Sequence, residues 1–519
     1  MFSSKTPPTK MTGLICFDMD STLIDCETLD VIAAEIGVKK EVAEITALGM
    51  NGQLDFEESV KRRLALLKGI PLGKIEEIAN TLPLMPGAKE LVKKLKEKGF
   101  VTCIISGSYD IVVDKIAKKL DIDFFIANKL EIKSKLLTGG FKLLVNKNKD
   151  ILLNEAKKHF KADITIAVGD GANDIPMLKT ADIGIAFCAK PKVNEAVHLR
   201  IKEKNLLKIL DLIEDKNYKI VVDKTVHEIA QKSLTLIGDV RVEDTTIMND
   251  EIIREIEIIV IRTNRKIDKE FLDKATNLKL IATATTGLNH IDLDYAKKKG
   301  VEVVQSKGEN ADAVADYVFR MLMQATDDIF YTNNLLKETN KFREIKKENK
   351  RFELRSKTLG IVGFGNIGTR VARRANAFGM EVKAYDPYVP EAKNTLKEVL
   401  GCDIITLHPE LTEETKYMID EEEFNLMKKD AILVNASRGA IIREKALLNA
   451  LKEKKIKLAI IDVFEKELEY TELYELDNAI VTPHIAGNTV EARTNGAKRI
   501  FAEILNHIEK TKKIRVIAR

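Results

Sequence analysis

An α/β protein built on parallel sheets is the fold class this sequence predicts, on three observations. Short, continuously apolar, β-rich runs alternate with longer segments whose apolar residues recur at helical spacing, the pattern of parallel sheets covered on both faces. The acidic and glycine-rich clusters fall directly after such runs, at strand ends, where open α/β sheets place their sites. At 519 residues the chain exceeds the size at which one core stops growing, about 250–300 residues, so roughly two to four domains are expected.

Apolar residues make up 45% and charged residues 32%, an ordinary balance for a globular chain. The net charge is +4, so no global basic field favours nucleic acid. Lys-rich stretches such as ELVKKLKEKGF and ALKEKKIKL space their Leu, Val and Ile at helical intervals and read as the wet faces of amphipathic helices. Cys16, Cys26, Cys103, Cys188 and Cys402 form no CxxC pair, which argues against a disulfide frame or a zinc site and suits a reducing, cytoplasmic setting. The opening MFSSKTPPTK lacks the apolar core of a signal peptide, and no apolar run nears the ~20 residues of a membrane span. A cytoplasmic protein acting on small molecules, with no nucleic acid and no membrane, is expected.

GLICF, VTCII and ITIAV read as strands of a first sheet. Between the first two the pattern is helical for about sixty residues, from Cys26 to roughly Pro83, too long for a simple crossover and therefore read as an inserted helical cap. Asp18 and Asp20 stand two residues apart at the end of the first strand; in extended chain both face one side. Like charges so close call for a cation between them or a proton on one, although a solvated turn would explain the pair by itself. Downstream, Ser106 and Gly107 end the next strand, Lys149 follows in NKNKD, and VGDGANDIPM ends another strand with Asp170, Asn173 and Asp174 around two glycines. These are parts for moving a phosphoryl group: Asp18 to attack phosphorus, Ser106 and Lys149 to hold its oxygens, Asp170 to share Mg2+ with Asp18. Oxygen ligands alone favour Mg2+ over zinc.

The motifs DMDST, SG, Lys149 and GDGAND, in that order, resemble those of the haloacid dehalogenase-like phosphatases. STLIDCETLD, ALGMNGQLDFEESVKRRLALLKG and GDGANDIPMLKTADIGIAFCAKPKV extend the likeness, over residues 11–212, to the phosphoserine phosphatase branch. The resemblance implies a Rossmann-like domain with its helical cap at about 26–83 and an aspartyl-phosphate on Asp18. It implies Asp20 as the acid that protonates the leaving alkoxide and later activates water, and Mg2+ held by Asp18, Asp20 and Asp170. Glu27 and Arg63 would read the amino and carboxyl groups of phosphoserine from the cap side, with Gly107 and Asn173 also at the substrate; a salt-bridged surface pair is the alternative for Glu27 and Arg63.

The charged, turn-prone IEDKNYK places a boundary near 213–218. KIVV, IEIIVIR and LKLIATA open a new alternation, continued by KTLGIVG, EVKAYD, CDIITL, AILVNA and LAIIDVF. Gly363, Gly365 and Gly368 form GxGxxG directly after LGIV and open a helix, and Asp386 ends the next strand eighteen residues after Gly368. The glycines let the backbone approach a pyrophosphate at the helix N-terminus, and the acid accepts from a ribose; Asp386 would repel a 2′-phosphate, which favours NAD over NADP. Arg438 in VNASRGA, Asp462 and Glu467 in IIDVFEKELE, and His484 in TPHIAGNT follow. A hydroxy acid gives up a hydride as its hydroxyl loses a proton, which needs a base near neutral pKa, a carboxylate to orient it and a cation for the acid group. His484, Glu467 and Arg438 meet those needs. His159, His198, His227, His290, His408 and His507 have no such setting and read as surface or packing residues, although His290 lies in the loop ATTGLNHID that should line the substrate pocket.

Arg, Glu and His in that order after a dinucleotide fingerprint resemble the D-2-hydroxyacid dehydrogenases, and IRTNRKIDKEFLDKATNLKLI, HIDLDYAKKKGVEV, VNASRGA and PHIAGNT point to their phosphoglycerate dehydrogenase branch. The resemblance implies a flavodoxin-like substrate domain at 218–309, a NAD-binding Rossmann domain at 310–490, and a C-terminal helix at 491–519 returning to the substrate domain. It implies His484 as acid/base, Glu467 as its partner and Arg438 as carboxylate anchor. Gly363, Gly365, Asn366, Ile367, Gly368, Asp386 and Asp462 would meet NAD, and a dimer would form through the NAD-binding domain. Arg262 and Arg265, in IRTNRK, suit a substrate phosphate or are solvated surface arginines. The pattern departs from the family at Asn289, Asp316 and Arg443 and lacks the proline expected after Glu467, which bears on specificity more than on activity. The chain ends at Arg519, so no serine feedback through a further C-terminal domain is expected.

The expectation is a bifunctional enzyme of serine biosynthesis, hydrolysing O-phosphoserine in its first half and oxidising 3-phosphoglycerate with NAD in its second. A hydroxypyruvate- or glyoxylate-type dehydrogenase and a non-catalytic NADH-sensing module are the alternatives for the second half. Separation near residue 215 is expected to leave each half active.

Overall fold

The computed structural model describes residues 12–50, 53–146, 148–213, 217–326, 329–348 and 351–517. Residues 1–11, on which the signal-peptide reading rests, and 214–216, inside the expected boundary, lie outside that set.

Three sheets organise the chain. The first runs in the order Leu136–Lys142, Phe124–Lys133, Phe100–Tyr109, Gly13–Phe17, Ile164–Gly169, Ile183–Phe187 and Leu199–Ile201, parallel except for its first pair. Gly13–Phe17 is central and wholly buried, which is why it is apolar without interruption. It delivers Asp18 to the carboxyl edge of the sheet, where the Asp18 N–H donates to the Val168 carbonyl at 2.9 Å. Four helices, Thr28–Glu35, Lys39–Met50, Phe56–Ala65 and Leu72–Thr81, fill the predicted insertion, whose ends meet in a bridge between Ile24 and Leu84.

The antiparallel pair departs from the predicted pattern. Ser134 and Lys135 both take left-handed φ, 51° and 60°, making a two-residue hairpin turn whose twist suits the strands. The turn lacks the Asn-Gly or Asp-Gly pair that signals it in a sequence, and beyond its opening FFIA the strand Phe124–Lys133 turns polar and largely exposed. The strand Gly238–Glu243 escapes the same reading, since charged residues interrupt it.

The second sheet, Glu302–Gln305, Leu280–Thr283, Ile258–Ile261, Tyr218–Asp223 and Gly238–Glu243, is entirely parallel. So is the third: Glu381–Tyr385, Thr358–Val362, Ile404–Leu407, Ile432–Asn435, Leu458–Ile461 and Ala479–Val481. Both faces of the third sheet are packed, Ile361, Val434 and Ile460 in one apolar cluster and Ile405, Leu433 and Ile461 in another. The chain divides into two compact units. Met1–Thr283, Leu288–Gln305 and Ala497–Arg519 form one; Ala284–Gly287 and Ser306–Gly496 form the other. The helix Val490–Ile517 passes from one to the other, and in the first unit its His507 Nδ1 lies 2.7 Å from Glu302 Oε2. Among the described residues no helix is long and apolar enough to cross a membrane, and all five cysteines are free.

Candidate active sites

At the carboxyl edge of the seven-stranded sheet, Lys149 is wholly buried at the start of the helix Lys149–Phe160. Its Nζ lies 3.0 Å from Asp18 Oδ1 and 2.6 Å from Asp174 Oδ1. Burial works against its charge, but the two aspartates outweigh burial and hold its pKa above that of an ordinary lysine. Asp174 Oδ2 also accepts from the Gly171 N–H at 2.9 Å, closing the GDGAND turn on its own acid. One carboxylate oxygen from each of Asp18, Asp170 and Asp174 lies within 4.8 Å of the others. Burial, then Asp174, raises Asp18 well above the usual carboxylate range against the pull of Lys149; burial, then Asp174, brings Asp170 to about 6. Three clustered carboxylates, two of them paired with a single lysine, leave an excess of negative charge that a divalent cation would balance, and their hard oxygens fit Mg2+.

Asp174, not among the expected ligands, joins Asp18 and Asp170 in this cluster, and Asp20, which is among them, lies close enough for its charge to help raise Asp18. Asp20 Oδ1 accepts from the Thr28 N–H at 2.9 Å and from the Thr28 hydroxyl, and burial raises its pKa to about 6 despite those bonds. The strand itself ends at Phe17, so Asp18 and Asp20 both stand in the segment that follows it. Asp174 reaches the cluster from the GDGAND turn.

Ser106 is buried, and its Oγ accepts from the Ser108 N–H at 3.1 Å inside an irregularity of strand pairing between Ile105 and Tyr109. The strand therefore runs on past Ser106 to Tyr109. Asn128, which no motif announces, ties this segment to the approach of Lys149. Its Nδ2 donates to the Gly107 carbonyl, and its Oδ1 accepts from the N–H groups of Leu144 and Val145, all at 2.8 Å. Glu27 is exposed and accepts from the Ser21 hydroxyl at 2.8 Å, while Arg63 Nε donates to the Ser59 carbonyl at 3.2 Å. Neither serves as the other's partner in these bonds. Burial raises the pKa of Tyr109, the Arg63 charge opposes that rise and the Asp20 charge adds to it, so all three groups are electrostatic neighbours. Asn173 is exposed on the short turn Ala172–Asp174.

In the second unit the strand Thr358–Val362 ends at Gly363, whose φ is 87° and where a Cβ would lie 2.6 Å from the Pro409 nitrogen. A Cβ on Gly368 would lie 2.2 Å from the Gly363 carbonyl oxygen, so only glycine lets the helix Asn366–Ala377 pack this close. Gly365 is that helix's N-cap and offers its first turn no side chain, and nothing stands within 4 Å of its Cβ position. First-turn N–H groups beside open space, with Asn366 and Ile367 leading the helix, fit an anionic pyrophosphate. Asp386 Oδ2 accepts from the Phe364 N–H at 2.8 Å and Oδ1 from the Tyr388 N–H at 3.0 Å, which leaves each oxygen a lone pair for a ribose hydroxyl. Turnover with NAD is expected to exceed that with NADP by about tenfold or more in kcat/KM, and Asp386→Ser is expected to narrow the gap; equal constants for the parent protein would remove the argument.

His484 Nδ1 and Glu467 Oε1 are 2.7 Å apart. The bond from His484 holds the Glu467 pKa below the ordinary range against the effect of partial burial. His484 itself has a left-handed φ of 53°, uncommon for a residue with a Cβ, and its N–H donates to the carbonyls of Asp462 at 2.9 Å and Thr482 at 3.0 Å. Asp462, expected at the cofactor, also holds the protein's own backbone. Wholly buried, it accepts from the Thr482 hydroxyl (2.5 Å) and the N–H groups of Ile485 (2.8 Å) and Ala486 (2.9 Å). It organises, from behind, the turn that presents the histidine.

Arg438 follows the strand Ile432–Asn435, and burial lowers its pKa while the Glu467 charge raises it. A Cβ on Gly287, from ATTGLNHID, would lie 2.3 Å from Arg438 Nη2, so that backbone passes directly against the guanidinium. Arg265 lies over the Phe271 ring at 4.6 Å and donates to the Thr246 carbonyl at 3.3 Å, a packing role, while Arg262 is partly buried. Two departures from the family pattern have local partners: Asp316 pairs with Arg374 at 2.6 Å, and Arg443 pairs with Asp420 at 2.5 Å over the ring of Tyr417. His408 is a packing residue, its pKa pushed down to about 3 by burial and its Nε2 2.9 Å from the Thr406 hydroxyl.

Comparison with known proteins matches each half separately. The pattern of the haloacid dehalogenase-like hydrolases matches residues 15–179, and that of the D-isomer specific 2-hydroxyacid dehydrogenase, NAD binding domain, matches residues 319–486. A phosphoserine phosphatase of Methanocaldococcus jannaschii is 44% identical over 209 residues, 40% of this chain and 99% of that protein. A D-3-phosphoglycerate dehydrogenase of the same organism is 38% identical over 304 residues, 56% of this chain; the chain spans only 57% of that protein's length. A hydroxypyruvate reductase of Thermotoga maritima is 36% identical over 306 residues, 56% of this chain and 98% of that protein. Both halves thus match enzyme families, and the chain belongs to two of them at once: the haloacid dehalogenase-like hydrolases through its first half and the D-isomer specific 2-hydroxyacid dehydrogenases, with their NAD-binding domain, through its second.

Proposed function

We propose that this chain hydrolyses O-phosphoserine in its first half and oxidises 3-phosphoglycerate with NAD in its second, the outer steps of serine synthesis. The observation that carries the reading is that one chain holds both a buried Asp18–Lys149–Asp174 cluster and a His484–Glu467 pair beside Arg438.

In the first site, Met19 N–H and Lys149 hold Asp18 Oδ1, which leaves Oδ2 to attack phosphorus. The bond from phosphorus to the serine oxygen breaks as an Asp18–phosphorus bond forms, and Asp20, at about 6, gives the leaving oxygen its proton. Asp20 then takes a proton from the water that releases phosphate. Lys149 and Ser106 hold the phosphoryl oxygens, with Gly107 and Asn173 beside them, while Arg63 and Glu27 read the carboxylate and ammonium of the substrate. Bound by Asp18, Asp170 and Asp174, Mg2+ would supply further neutralisation of phosphoryl charge.

In the second site, Glu467 holds Nδ1 of His484, so Nε2 faces the substrate hydroxyl and takes its proton. Arg438 anchors the substrate carboxylate, and Arg262 is the remaining cation for a substrate phosphate. NAD, cradled by Gly363, Gly365, Asn366, Ile367, Gly368 and Asp386, would accept the hydride. Copies associate through the unit that carries the fingerprint: the helix Ile329–Thr339 buries none of its residues, and Ile329, Phe330 and Tyr331 are exposed. Five free cysteines suit the cytoplasm.

The likeness to a hydroxypyruvate reductase supports a second reading, reduction of an unphosphorylated 2-oxo acid. NADH oxidation with phosphohydroxypyruvate, hydroxypyruvate and glyoxylate decides between them, His484→Ala serving as the blank. The phosphorylated acid is expected to give the highest kcat/KM, by about tenfold or more. Preference for hydroxypyruvate or glyoxylate would transfer the second half to the other reading, and NADH binding without turnover would make it a sensor.

A further inference from the structure

The last helix of the dehydrogenase half reaches the phosphatase sheet. From Ala497 onward, Val490–Ile517 belongs to the same compact unit as the seven-stranded sheet. Lys498 Nζ donates to the Lys179 carbonyl at 2.5 Å. Lys179 lies in the last turn of the helix Ile175–Thr180, whose N-cap is Asp174, the acid bonded to Lys149. The neighbouring Arg499 Nη1 lies 3.4 Å from His198 Nδ1, and its Nη2 pairs with Glu503 at 2.5 Å.

Lys498 is partly buried, and burial brings its pKa down to about 8, with Asp182 supporting its charge and Lys157 opposing it. Asp182 pairs with Lys157 at 3.0 Å and accepts from the Thr165 N–H and hydroxyl at 2.8 Å, so Lys498 is left to bond the carbonyl. The last carbonyls of a helix have no partner within it and favour a cation beside them. Over six residues that helix is about 9 Å long, so its far end is within one short rigid element of the acid cluster.

We propose that Lys498, contributed by the dehydrogenase half, is a positioning residue of the phosphatase site: it fixes the far end of the helix that carries Asp174, and with it the Asp174–Lys149–Asp18 pairing. This rests on the phosphatase reading above and reverses the expectation that the halves work independently when separated.

The test is Lys498→Met in the full chain, read by hydrolysis of p-nitrophenyl phosphate and of O-phosphoserine and by NADH oxidation. The phosphatase kcat is expected to fall about tenfold, the scale of one charge-assisted hydrogen bond, with KM within about twofold and NADH oxidation unchanged. Lys498→Arg keeps a donor for the Lys179 carbonyl and is expected to restore kcat to within about twofold. In the parent, phosphatase kcat is expected to decline as pH rises through about 8, where Lys498 loses its proton; His198, brought to about 4 by burial and Arg499, is neutral throughout that range. In the Arg variant that limb is expected to vanish. Full phosphatase kcat in the Met variant, failure of arginine to restore it, or persistence of the alkaline limb in the Arg variant would each overturn the proposal. If the parent hydrolyses p-nitrophenyl phosphate but not O-phosphoserine, the substrate reading fails and the link is still tested.

Discussion

Lys149→Met is expected to abolish phosphatase activity and to destabilise the chain by about 3–5 kcal/mol, the scale for removing one partner of a buried ion pair. The side chain is 0% exposed, and its partners Asp18 and Asp174 are 9% and 0% exposed, so no solvent screens what is left behind. The sign of the pH dependence follows. Without the lysine, burial and mutual repulsion raise Asp18 further above its unfolded pKa. A carboxyl with a raised pKa binds more protons folded than unfolded, so the stability deficit narrows as pH falls and widens as it rises. Urea unfolding of variant and parent at several pH values checks this, and equal midpoints at neutral pH would remove the buried-pair argument.

His484→Ala is expected to lower the dehydrogenase kcat by about 10²–10⁴-fold, the usual contribution of a positioned acid/base, while NADH binding followed by fluorescence stays near the parental value. Glu467→Gln is expected to lose less, because that carboxylate acts only through the imidazole. The double variant should be no slower than His484→Ala alone, since residues working as a unit are not additive. A further loss in the double variant would give Glu467 a role apart from the histidine. O-phosphoserine hydrolysis by all three variants should match the parent.

Much of the fold was legible because burial on both faces forces parallel strands to be continuously apolar: GLICF, LGIV and IITL each had one available role. Strands at sheet edges carry no such constraint, and the hairpin around Ser134 and Lys135 turns on two left-handed residues that follow no sequence rule. Among site residues, Lys149, His484 and Glu467 were legible because their chemistry is local to a residue type at a strand end. The protein partners of Asp20 and Asp462 were not legible, since which way a carboxylate turns depends on Thr28 in one case and on Thr482, Ile485 and Ala486 in the other. Asn128 left no signal at all, because its three partners come together only when the strand Phe124–Lys133 pairs with Phe100–Tyr109 on one side and Leu136–Lys142 on the other.

By itself, then, the sequence determined the α/β class, the two enzyme families and the residue types at each site, since periodicity, glycine spacing and ionisable clusters are properties of neighbouring positions. Only the tertiary structure decided that Asp174 completes the acid cluster through a lysine 25 residues away, that Asp462 stands behind His484, and that Lys498 bonds a carbonyl 319 residues distant. Those contacts join segments far apart in the chain, and their free energy comes from burial and shared hydrogen bonds that exist only once the sheets have formed.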